Sequence, residues 1–150
     1  MAARTRLTLL SMGAWGEGPF DNDDACDWSY EFQEVDETTG LQILAGALNL
    51  GDPANYVEAP EGETAVAAAL VVSWLVNPDS IPDSPYGESA AAWVRSTRAP
   101  VSAALRASAF AALDRVQGAQ SELAELWAEA DGTAWIETLS HIKTRLRAGT

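Results

Sequence analysis

The chain has 150 residues, 47% of them hydrophobic, and its 22 acidic against 9 basic residues give a formal charge of −13. That length fits one domain with room for a core, and the negative excess excludes general binding to nucleic-acid phosphate or to anionic membranes, both of which repel it. Cys26 is the only cysteine, so no internal disulfide forms and nothing requires an oxidising compartment; a cytoplasmic protein is the expectation.

Residues 1–11 contain Arg4, Arg6 and a short apolar patch. The patch is too short for a signal peptide and no small-residue cleavage site follows it. The segment reads as an N-terminal extension, disordered or a stray strand, ahead of a domain spanning 12–150. From Met12 to Trp28 the chain is at its most irregular. Gly13, Gly16, Gly18 and Pro19 demand particular backbone turns, since glycine reaches positive φ without strain and proline fixes φ near −65°. Trp15 and Phe20 inside so turn-rich a stretch make sense if their rings pin the loop to a core. Asp21-Asn22-Asp23-Asp24 then supplies helix-capping residues and favourable charge at a helix start.

Ala25, Trp28, Phe32 and Val35 share one helical face opposite Asp24, Asp27, Glu31 and Glu34, which predicts a first helix ending near Asp36. Thr38-Thr39-Gly40 is expected to break it, before Leu41, Leu44, Ala45 and Leu48 carry a second helix to Asn49-Leu50-Gly51-Asp52-Pro53. A connecting loop follows to Gly62. Roughly Glu63 to Asn77 is alanine-rich and apolar on nearly every side, and its apolar core, Ala65 to Val76, falls short of the ~20 residues that span a bilayer. This is the expected central helix.

Three prolines between Pro78 and Gly87 predict irregular structure. Further helices are predicted over Glu88–Arg98, over Val101–Val116 closed by Gly118, and after Ser121, a natural N-cap. Asp131-Gly132-Thr133 separates that helix from a last one with Trp135, Leu139, Ile142 and Leu146 inward and Lys143, Arg145 and Arg147 near its C-terminus. The class is all-α, a single domain of about six or seven helices around the alanine-rich one.

Chemistry-bearing motifs are sparse. The glycines at 13, 16 and 18 are no phosphate cradle, because no lysine follows and Asp21, Asp23 and Asp24 would repel the anion. The carboxylates of Asp21, Asp23, Asp24 and Asp27 are the candidate metal ligands, although the glycine and distant glutamate of a calcium-binding EF-hand are missing and helix capping explains them as well. His141, the lone histidine, lies beside the last helix's apolar stripe. Neighbouring carboxylates raise the thiol pKa of Cys26 and make it a poor nucleophile. Most of the six tryptophans fall on apolar helical faces, where a core would place them.

The stretch Gly13-Ala14-Trp15-Gly16-Glu17-Gly18-Pro19-Phe20-Asp21-Asn22-Asp23-Asp24-Ala25-Cys26-Asp27-Trp28 resembles the opening signature of a bacterial family, domain of unknown function 4259. The alanine-rich Glu63–Ala69 and the segment Ser121–Trp127 are also similar, extending the likeness over about Met12 to Leu146. The resemblance implies Gly13, Trp15, Gly16, Gly18, Phe20, Asn22 and Trp28 as the structural motif, and brings no catalytic residue or ligand with it. The expectation is therefore a non-enzymatic, acidic interaction or regulatory module, of an immunity or antitoxin kind, with a basic protein partner and no cofactor. A divalent-metal-dependent hydrolase or binding protein using the acidic cluster is the alternative.

Overall fold

The computed structural model describes residues 16, 18–83, 86–97 and 99–148. Among them are seven α-helices: α1 (Asp23–Ser29), α2 (Glu37–Leu48), α3 (Ala59–Val76), α4 (Glu88–Thr97), α5 (Ala103–Val116), α6 (Glu122–Glu129) and α7 (Thr133–Arg147), with 3-10 turns at Tyr30–Phe32 and Pro78–Ser80. No strand occurs among these residues, and an isolated parallel bridge joins Val57 to Ser121. The chain is all-α, as its apolar periodicity requires. Gly13 and Trp15 lie outside the described residues.

Helix α3 is the axis. Its residues from Ala65 to Leu75 are all buried, and each of the other six helices packs against it. A helix apolar on every side has no solvent face to keep, and the alanines at 65, 67, 68 and 69, fully buried, hold neighbouring backbones close. By length and composition α3 would pass for a membrane span, yet 72% of it is buried inside the fold. Four helix starts carry side-chain caps: Asn22, Asp36, Ser102 and Ser121 accept from the backbone N–H three residues on.

The boundary between α1 and α2 differs from expectation. The first helix closes with the 3-10 turn at Phe32, Glu34 takes φ +56°, and Asp36 is the N-cap of α2, accepting from Thr39 N–H at 2.7 Å. Thr38-Thr39-Gly40 thus lies inside α2. Gly40 is there for space: a Cβ at that position would stand 2.2 Å from the Trp93 ring, whose Nε1–H donates to Asp36 O at 3.2 Å.

Helix α3 also begins earlier than Glu63. Pro60 is tolerated in its first turn, where the missing N–H has no intrahelical partner anyway. That start is tied to α6: Val57 N–H donates to Gln120 O and Glu122 N–H to Val57 O, while the Glu122 carboxylate accepts from Ala59 N–H at 2.8 Å. Pro78 opens a short 3-10 turn instead of leaving its segment wholly irregular, because Asn77 accepts from Asp79 N–H. The remaining predicted helices hold to within two residues.

Candidate functional site

The glycine-rich loop is fastened to the fold from its C-terminal end. Gly18 N–H donates to Asp21 Oδ2 at 3.0 Å and Asp21 N–H returns to Gly18 O; a Cβ at Gly16 or Gly18 would come within 2.6 Å of the same carboxylate oxygen. The two glycines leave room for Asp21 to fold back on the loop. Phe20 is buried and stacks on Trp74 of α3, ring centroids 5.7 Å apart. Gly87, at φ +75°, also lies against it, where a Cβ would be 2.7 Å from the Phe20 ring.

Asn22 joins three parts of the chain. Its Oδ1 caps α1 by accepting from Ala25 N–H at 2.7 Å, and its amide donates to Pro19 O at 3.1 Å and to Glu63 Oε2 at 2.7 Å. Both side chains are buried. Burial, with the negative charge of Asp24 next, pushes the Glu63 carboxyl up to about 8 against the opposing Asn22 hydrogen bond. Sequence reasoning missed Glu63. The available signal was a lone carboxylate immediately before a long apolar helical run.

The four candidate metal ligands do not converge. Asp21 is engaged by the loop backbone, Asp23 and Asp27 are exposed, and Asp24 is only partly covered. Among the described residues no group of three or more His, Cys, Asp or Glu side chains is placed to hold an ion. Cys26 donates from Sγ to Phe20 O at 3.2 Å; partial burial first, then the charges of Asp23, Asp27 and Asp21, raise its pKa and keep the thiol protonated. His141 is exposed on α7.

What the fold does bring together is a face. Ser29 Oγ, buried at the end of α1, accepts from Ala90 N–H at 3.2 Å in the first turn of α4, fixing the two helices side by side. Between them lies a cavity of about 380 Å³ lined by Tyr30, Gln33, Tyr86, Glu88 and Ser89 along with Cys26 and Ser29. Tyr30 and Tyr86 are 61% and 47% exposed. Of the carboxylates, Glu88 lines it, and Asp23, Asp27, Glu31 and Glu34 are exposed along α1 and the segment that follows it.

A family model for domain of unknown function 4259 (DUF4259) matches residues 13–138. The chain belongs to that family. The match includes the glycine-rich loop, Asn22, Glu63 and both walls of the cavity, so the whole face described above belongs to the DUF4259 domain; it stops eight residues before Leu146, where the sequence resemblance ended. Neither curated proteins nor solved structures provide a match.

Charge is divided unevenly along the DUF4259 domain. Sixteen of the 22 acidic residues and none of the nine basic ones fall between residues 7 and 94. Four cations of the second half serve the fold: Arg115 donates to the carbonyls of Gly51, Asp52 and Asn55, Arg106 to those of Leu146 and Ala148, Lys143 pairs with Asp114, and Lys143 and Arg147 lie over the Phe110 ring. None of the acidic side chains from Asp21 to Glu88 pairs with a described lysine or arginine.

Proposed function

We propose that this chain is a non-enzymatic interaction module of an immunity or antitoxin kind, working in the cytoplasm, and that the acidic face built by α1, its 3-10 extension and the start of α4 receives a basic protein partner. One observation carries the reading: exposed carboxylates with no lysine or arginine partner among the described residues lie on the same two helices and their flanks as two exposed tyrosines, with Ser29 Oγ tying the helices together. A one-signed field steers an oppositely charged partner and speeds its encounter, and tyrosine is enriched at interfaces because its ring is large, stiff and polar at one end. Where nucleophile chemistry is concerned, Cys26 offers a thiol held protonated, which fits binding better than catalysis.

The test is a pull-down from the native host with the wild-type chain and with the triple variant Asp23→Lys, Asp27→Lys, Glu31→Lys. A partner retained by wild type at low salt, weakened at moderate salt and absent from the variant is the expected result. Identical recovery by both proteins, or none by either, overturns the reading.

A further inference from the structure

The cavity between α1 and α4 has a chemistry narrower than the face around it. Its volume, about 380 Å³, lies at the small end of the roughly 300–1,000 Å³ that ligand-sized cavities span. That is room for one long side chain and too little for a helix. Every charged or titratable group lining it is acidic or neutral: Glu88, Tyr30, Tyr86 and Cys26, the last held as a neutral thiol by burial and by Asp23, Asp27 and Asp21. Gln33, Ser29 and Ser89 add carbonyl and hydroxyl acceptors.

Resting on the reading of this face as the partner surface, we propose that the cavity takes a single arginine side chain of the basic partner. Arginine offers a planar cation with five N–H donors and no acceptor. Tyrosine faces attract such a cation and can stack against it, and the Glu88 carboxylate with the neighbouring amide and hydroxyl oxygens accepts its hydrogen bonds. Lysine supplies the same charge but no plane to stack. The exposed row of Asp23, Asp27 and Glu31 attracts either residue; the cavity discriminates between them.

The experiment measures, by calorimetry at low salt, binding of two synthetic peptides of equal length and charge, one arginine-based and one lysine-based. The arginine peptide is expected to bind about tenfold tighter, the scale of one stacked, charge-assisted contact. Tyr30→Ala should abolish that preference, costing the arginine peptide about tenfold and the lysine peptide much less, since an ammonium gains only the weaker unstacked attraction to the ring; Tyr30→Phe should keep it, and Asp23→Asn with Asp27→Asn should weaken both peptides together. Equal affinities, or a preference that survives Tyr30→Ala, overturn the arginine site while leaving the acidic face standing. If neither peptide binds, both fall.

Discussion

Glu63 gives the molecule its most distinctive titration. In the folded chain its carboxyl is pushed up to about 8 from its ordinary 4.5, so between those values the folded state holds a proton that the unfolded state has released. The stability contributed by the protonated form is complete below pH 4.5 and is lost as pH rises through 8. Glu63→Gln keeps an oxygen for the Asn22 amide and removes the ionisation. Thermal melts across this range should slope downward with pH for wild type and be markedly flatter for the variant, which should be the more stable by a few kcal/mol at the alkaline end. Parallel slopes would mean that Glu63 is ionised in the folded state. The capping role of the Asp21–Asp24 stretch was legible in the sequence, because short polar side chains before an amphipathic run have few other uses. Which of the four does the capping was not, since that is settled by Glu63, 41 positions away, through its bond to Asn22.

At the scale of elements, α2 holds two glycines with opposite reasons for being there. Gly40 faces Trp93 of α4, where a Cβ would collide with the ring at 2.2 Å, whereas a Cβ on Gly46 meets nothing within 4 Å. Alanine is the better helix former by about 1 kcal/mol, so Gly46→Ala should raise stability by roughly that amount. Gly40→Ala gains the same propensity but must displace a buried indole; overpacking costs about 1–3 kcal/mol, which makes the net effect destabilising. Chemical denaturation of the two variants checks both signs, and a stabilising Gly40→Ala would show that α4 shifts freely. The same glycine explains where helix boundaries were illegible. A glycine between threonines reads as a stop, and only the approach of another helix shows that it is a contact. The central helix, by contrast, was plain from composition alone, because nothing but burial accommodates an apolar run without a polar side. Its true start was hidden, since the ties from Val57 and Ala59 to α6 connect parts of the chain more than 60 residues apart.

Over the whole molecule, the division of charge has consequences for stability as well as binding. Like charges crowd the surface from α1 to the start of α4, while Arg106 and Arg115 of the second half are drawn onto a helix end and into a loop clamp. Their mutual repulsion opposes folding and is screened by salt. Melting temperature should therefore climb as sodium chloride is raised from low to physiological strength; a fall would show that attractive pairs dominate. The net charge was legible at once from composition. The pairing of the exposed carboxylates of α1 with Glu88 of α4 was not, because it depends on how α1 and α4 are joined by the Ser29 bond to Ala90 N–H. The most direct test of the recognition surface is a nuclear magnetic resonance titration of the isotopically labelled chain with the arginine-based peptide. Amide shifts concentrated from Asp23 to Gln33 and from Glu88 to Ala92, fading as salt is added, are the predicted result; shifts gathered instead on α5 and α7 would contradict it.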